Sequence, residues 1–363
     1  MLARTTTLRI HWEGRDITRE VSPYITAFTF TDNSAGKADD ITLTLEDRKG
    51  LWLTDWFPSK SDRINASIIT LHNSLPCGEF SIDQIDYSAP PKIISIKAVS
   101  TSAKKKAKGE KHSKAWENIT LREIAADIAA SNSLSLFYDA GTYSLERREQ
   151  VQQSDLEFLE GLCSDFGLNV KITASKLIIY SEGNYDSHES TGTLSAQDKG
   201  LISYKFSAKT AGTYRKARVK YHHPVKNEDY DAEETDEDEE GSERELVIHE
   251  RVDSQAQAQE IATQRLKSAN SKEISGTITL KGDTRFVAGS NITLEGFGGF
   301  SGKYFIETAT HSLGLGYTTS LKLKMGSASK KALKNAKAKA RKKTKATGAG
   351  ELYYEGTRYY GAE

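Results

Sequence analysis

The chain is poor in cysteine, in long apolar runs and in net charge. Its two cysteines, Cys77 and Cys163, lie far apart and outside any Cys-x-x-Cys spacing. That excludes a disulfide framework or zinc knuckle and leaves both as small apolar side chains for an interior. The longest apolar runs, KIISI at Ile93 and KLIIY at Ile178, are strand-sized, far below the roughly 20 residues of a membrane helix. No span and no membrane partner are expected. The amino end, MLARTTTLRIHWEG, has no apolar stretch of about 7 to 15 residues, so no secretory signal is expected. Synthesis and first folding are placed in the cytoplasm. Lys+Arg and Asp+Glu both number 50, and with a mean hydropathy of -0.57 a soluble chain is expected. No GxSxG, HExxH or paired Cys-His signature occurs, so the common hydrolase chemistries lack their carriers.

What is present is patterning. At 363 residues the chain is long enough for two or three domains of about 100 to 150 residues. Over residues 1–103 it alternates with period 2, in TLRIHW, YITAFTFTD, DDITLTLED, GEFSIDQIDYS and KIISIKAVS. This is the signature of half-buried antiparallel strands, and short strands with frequent turns predict a small barrel-like domain. Residues 104–115, rich in lysine, read as a linker. The period then changes to 3.6. Leu121, Ile124, Ala125 and Ile128 share a helical face behind a Thr120–Glu123 capping box.

The segment QVQQSDLEFLEGLCSDFGLNVKI holds several carboxylates, which an active-site helix or a structural one could carry. Ser154 and Glu157 form a second capping box, and Asp155 and Glu157 sit in the first turn where the helix dipole favours negative charge. Leu156, Leu159, Leu162, Cys163 and Phe166 form an apolar stripe and Gly167 stands at the C-cap. The segment is therefore a structural helix. With the hairpin LNVKITASKLIIYS it makes residues 116–192 a helix-containing α+β insert.

Strands return in residues 193–326, a second barrel-like domain with a helix at 254–268 capped by Ser254 and Gln257. Within it, residues 226–245 form an acidic block without a large aliphatic side chain, read as a mobile excursion between two paired strands. It lacks calcium-loop spacing, so a solvated loop is preferred to a cation site. His222 and His223 fall on opposite faces of a strand and read as surface or turn packing, and His311 reads as structural. GEFSID at Gly78–Asp83 is echoed by GKYFIE at Gly302–Glu307, as two related barrels flanking the insert would require. The expected fold class is thus mainly β. Residues 327–363 form a basic tail with a tyrosine-rich end.

DDITLTLED, CGEFSIDQIDYSAPPKIISIKA, WENITLREIAADIAA, QQSDLEFLEGLCSDFGLNVKI and GDTRFVAGSNITLEGFGGFSGKYFIETATHSLGLGYTTSLKLK together resemble the late control gene D family, over about residues 8 to 325. These are baseplate hub proteins of contractile-tailed phages and tailocins. The resemblance implies a homotrimeric ring, with two tandem barrels per chain presenting six similar units. Such a ring adapts a sixfold tail tube to a threefold spike. It implies a non-enzymatic structural protein of the virion or tailocin baseplate, assembled in the bacterial host's cytoplasm. Its partners would be the spike, the tube protein and other baseplate proteins, with no cofactor. The acidic block and the basic tail match nothing in that family.

For the tail, Lys330, Lys331, Lys334, Lys337, Arg341, Lys342 and Lys343 with Tyr353, Tyr354, Tyr359 and Tyr360 are the candidate partner-binding residues. A protein surface is preferred to nucleic acid, the acidic block of a neighbouring subunit among the options, because no base-stacking platform interleaves the lysines. The competing class is a tail-associated peptidoglycan-binding or cell-wall-hydrolysing component: NITLREIAADIAASNSL resembles the first helix of a LysM module, whose second half is missing here.

Overall fold

A computed structural model describes residues 6–100, 110–173, 176–181, 188–209, 212–224, 226–237, 239, 243–271, 273–326 and 329–333. The first strands are β1 (Thr7–Trp12), β2 (Arg15–Asp16), β3 (Ile25–Asn33), β4 (Asp40–Glu46), β5 (Arg63–Ile69), β6 (Ser74–Ser88) and β7 (Ile93–Ser100). The middle of the chain runs β8 (His112–Thr120), α1 (Leu121–Ser131), β9 (Ser135–Asp139), β10 (Ser144–Gln153), α2 (Asp155–Asp165), β11 (Leu168–Ile172) and β12 (Lys176–Ser181). Then come β13 (Ser190–Ser195), β14 (Leu201–Ala208), β15 (Lys216–His223), β16 (Glu228–Thr235), β17 (Glu245–Ile248) and α3 (Gln255–Asn270). The series ends with β18 (Ile274–Lys281), β19 (Asn291–Glu295), β20 (Gly302–Leu313) and β21 (Tyr317–Met325). No helix among the described residues is long and apolar enough to cross a membrane.

The fold is mainly β, with a helix-bearing middle. The expected pair of barrel-like units is present, joined rather than separately closed. Thirteen strands form one sheet in the order β14-β18-β21-β20-β3-β4-β7-β6-β5-β1-β2, with β13 paired to β19 and β19 to β20. The join exists because β20 is long: its first half pairs with β19 and its second half, Thr308 to Leu313, pairs with Asn33 to Phe28 of β3.

The GEFSID–GKYFIE echo is one visible part of a structural duplication. The order β3-β4-β7-β6-β5 is repeated as β14-β18-β21-β20-β19. Gly78 and Gly302 both take positive φ, +109° and +143°, conformations that favour glycine. Phe80 and Tyr304 are both fully buried, and Ile82 and Ile306 follow two residues later into the two cores. The register slips between Ile82 and Gln84 on one side and between Ile306 and Thr308 on the other, so Asp83 and Glu307 are matching bulges. A second matched bulge lies between Ile25 and Ala27 in β3 and between Leu201 and Ser203 in β14. ITAFTF and LISYKF are therefore equivalent, as are DITLTLE of β4 and SGTITLK across β18.

The middle unit holds a separate core of both capping-box helices, α3 and three small sheets. In both predicted boxes the cap hydroxyl accepts from the N3 amide and the N3 carboxylate accepts from the cap amide, with Thr120 N to Glu123 at 2.8 Å and Ser154 N to Glu157 at 3.0 Å. Gly167 takes φ +65°, and a Cβ there would stand 3.0 Å from the Gln264 carbonyl. It serves both the end of α2 and the close approach of α3.

Three expectations are corrected. Residues 112–115, placed in the linker, already belong to β8; the rest of the predicted linker before Glu110 lies outside the described residues. The acidic block is not a loop throughout. Its first part is β16, paired antiparallel with β15 from His223–Glu228 to Lys216–Thr235. Alternation turns Tyr230 and Ala232 into the middle core and leaves acids on the outer face for cross-strand pairing with Lys216, Arg218 and His222. One buried tyrosine and one alanine are the inward contacts of a strand that has no large aliphatic side chain. Finally, β15 to β17 and the 254–268 helix, grouped with the second barrel on sequence, pack their apolar faces into the middle core.

Candidate functional site

Of the predicted tail residues, only Lys330 and Lys331 are described; Lys334, Lys337, Arg341, Lys342, Lys343, Tyr353, Tyr354, Tyr359 and Tyr360 lie outside the described residues. Lys330 is buried. Its ammonium donates to the Asn270 carbonyl at the end of α3 and lies 3.8 Å from Glu273, an arrangement that the helix dipole favours. It anchors the start of the tail to this chain, and Lys331 is exposed.

The strongest polar site joins the three parts of the molecule. Asp32 follows Phe28 and Phe30 on the inward parity of β3, where alternation calls for an apolar side chain. One of its oxygens meets the Lys171 ammonium of β11 at 2.8 Å, and the other accepts from the Ala288 amide at 2.8 Å. Asp39 stands 3.5 Å from the same lysine, and Tyr180 donates to the Ser34 carbonyl at 3.1 Å. The first repeat, the middle unit and the second repeat thus converge on one buried carboxylate. Burial lowers the affinity of Lys171 for its proton, but the two aspartates reverse the balance and hold it above its ordinary range. Breaking such a buried pair is costly, on the order of 3–5 kcal/mol. Nearby, His311 of β20 stacks on Phe30 of β3 with centroids 6.1 Å apart and planes at 17°. Its Nε2 lies 3.1 Å from the Phe286 carbonyl and its Nδ1 2.8 Å from the Tyr317 hydroxyl. Burial pushes the imidazole down to about 4, so it is neutral, with Nε2 donating and Nδ1 accepting. His311 is structural, as expected.

Sequence reasoning missed this node, although Asp32 at an inward strand position was the available signal. Lys171 carried none, because its partners are distant in the chain.

Among the described residues, buried titratable groups away from this node lie in ion pairs and helix packing. His223 is buried and faces Glu146 and Asp253, three residues close enough to share a metal ion. However, its Nδ1 accepts from the Lys226 amide at 3.2 Å, which leaves the proton on Nε2, 3.6 Å from Glu146. Lys226 also bonds Glu146, while Arg148 and Arg251 lie 3.4 and 3.5 Å from Asp253. The cluster already holds three cations and presents no lone pair from the imidazole, so it does not fit a metal. His222 points outward to Asp229 at 2.8 Å, as strand alternation requires.

Asp165, at the end of α2, is pushed up to about 7 by burial first and by Glu250 second, with Arg265 and Arg148 opposing. Arg265 also bonds Glu250 at 3.1 Å and the Ser164 carbonyl at 3.2 Å. This raised carboxyl belongs to the packing of α2 on α3. Between β8 and α1 lies a cavity of about 150 Å³ lined by His112, Lys114, Trp116, Asp127 and Asp155. Its groups satisfy one another: His112 meets Asp155 at 3.1 Å and Trp116 donates to Asp127 at 3.2 Å. Phe158 and Lys114 stand over the indole, 5.0 Å from it in each case.

Among the described residues several strands have a neighbour on one side only, and two of these open stretches stand at places equivalent to the β3–β20 join. Strand β14 pairs only with β18, and Ile202 and Tyr204 on it are 54% and 55% exposed. The second half of β6, Gln84 to Ser88, pairs only with β7. An edge strand presents a row of unpaired backbone N–H and C=O groups, a template on which another strand can pair.

This architecture is found in phage tail proteins. It matches the 43 kDa tail protein of prophage MuSo2 from Shewanella oneidensis with a TM-score of 0.67 at 13% identity, covering 88% of this chain and 98% of that one. A tail protein of Neisseria meningitidis MC58 matches with the same TM-score at 12% identity, covering 88% and 96%. An E. coli component of the type VI secretion system matches at 0.54, with 11% identity over 90% and 76%. The chain belongs to the phage tail baseplate hub (GPD) family, whose model matches residues 105–316. The probable baseplate hub proteins of Escherichia phages 186 and P2 are each 26% identical, over 181 and 174 residues. Each match spans 47% of this chain and 44% of the relative, so the chain covers less than half the length of these curated relatives.

Proposed function

We propose that the chain is a structural baseplate hub that forms a homotrimeric ring adapting a sixfold tail tube to a threefold spike. The observation that carries this reading is the duplication: two five-strand units with the same order and matching bulges in every chain. Three chains would then present six similar units to the tube and three identical faces to the spike. The continuous sheet suits a part that bears axial load, because backbone hydrogen bonds run across both repeats without a flexible joint. The Asp32–Lys171 node ties that sheet to the middle unit. The chain carries out no chemistry in this scheme, needs no cofactor and works in the virion or tailocin baseplate after assembly in the host cytoplasm. Tube, spike and neighbouring baseplate proteins are its partners, and the basic tail beyond Lys331 is assigned to a protein contact among them.

Mass photometry of the purified protein tests the ring. The expected species is three times 40.1 kDa; a monomer at all concentrations would contradict it.

A further inference from the structure

We infer that β14 of one copy pairs antiparallel with Gln84–Ser88 of β6 in the next copy, repeating between chains the β3–β20 pairing found within one. The inference rests on the ring reading and gives its interface a register. Within the chain, the edge of the first repeat, β3, is covered by the second half of β20. Among the described residues, the equivalent edge of the second repeat, β14, has no such strand beside it, and the equivalent of that half of β20, the second half of β6, has no counterpart of β3. The two open stretches are thus the two halves of a contact the molecule already makes once. A heterologous contact of this kind makes a ring when the rotation between successive copies closes, and a filament when it does not.

The matched bulges fix the register. Phe30 faces His311 and Thr31 faces Thr310 across the internal join. Phe206 stands where Phe30 stands, opposite Gly276 as Phe30 is opposite Ile41. Tyr87 stands where His311 stands, opposite Ile94 as His311 is opposite Thr319. Phe206 therefore faces Tyr87 of the neighbour, Ser207 faces Asp86, and Lys205 faces Ser88. Two features of the side chains agree with this. The Phe30–His311 stack is replaced by another pair of rings, both half-buried in the single chain. Asp86 is placed diagonally between Lys205 and Lys209, all three exposed, and opposite charges at such spacing attract across strands.

The test is a cysteine pair in the full chain, Ser88→Cys with Lys205→Cys, oxidised and run on a non-reducing gel beside a mass measurement of the unaltered protein. The native cysteines give little background, because burial pushes Cys77 up to about 12 and raises Cys163 as well. Chain-to-chain disulfides that build to a covalent trimer are expected. The displaced pair Asp86→Cys with Ser203→Cys, four residues out of register, should not link. A charge swap supplies a second readout: Asp86→Lys should weaken the trimer about tenfold or more, and Lys205→Asp with Lys209→Asp should restore it. A trimer in which the first pair stays reduced, links within one chain, or links no better than the displaced pair overturns this register but leaves the ring standing. A monomeric unaltered protein overturns both.

Discussion

The two repeats share strand order, bulges and a buried aromatic, Phe80 or Tyr304, two residues before a buried isoleucine, yet their edges differ. β3 is covered by β20, whereas β14, built from the equivalent LISYKF, presents Ile202 and Tyr204 to solvent. The same local sequence pattern therefore makes an interior join in one place and a surface in the other. What decides between them is not the strand but what the chain places beside it: β20 reaches β3 within one molecule, and in the proposed ring the strand equivalent to β20 reaches β14 from a neighbouring copy. The entry strands differ too. β1 lies antiparallel to β5, but β13 lies parallel to β19 because the chain arrives there from the middle unit.

If the repeats are equivalent in their cores, Phe80→Ala and Tyr304→Ala should cost alike, about 3–5 kcal/mol each, read as loss of unfolding free energy in urea. A cost several-fold smaller at one site would break the equivalence. A smaller effect separates the closed edge from the open one. The buried His311 has a folded pKa, about 4, below its ordinary 6.5. The unfolded chain therefore takes up a proton first as pH falls, and the contribution of this residue is present above about 6.5 and lost as pH drops toward 4. His311→Gln should flatten the loss of stability between pH 6.5 and 4 relative to the unaltered protein. Tyr87→Gln, at the matching place in the first repeat, should leave that slope unchanged. Parallel slopes for all three proteins would remove His311 from the account.

Much of this was legible in the sequence where the cause is local. Capping boxes at Thr120 and Ser154 satisfy helix amides within four residues, and period-2 alternation marked the strands before any partner was known. The GEFSID–GKYFIE echo pointed to the duplication because a bulge after a buried aromatic constrains consecutive residues. The rest depends on contacts between distant positions. The acidic strand β16 is held by Tyr230 and Ala232 against a core supplied mostly by other segments, so its composition alone pointed to a loop. The equivalence of ITAFTF and LISYKF rests on register with β4 and β18, which no single stretch reveals. Asp32 and Lys171 meet across 139 positions.

The central claim, that each chain supplies two equivalent units to one ring, is tested most directly by electron-microscopy averages of the purified assembly viewed down its axis. A ring of three chains whose rotational power is strongest at sixfold, with a weaker threefold component from the middle units, is the predicted result. A threefold ring without a sixfold component, or particles with no ring, would contradict it.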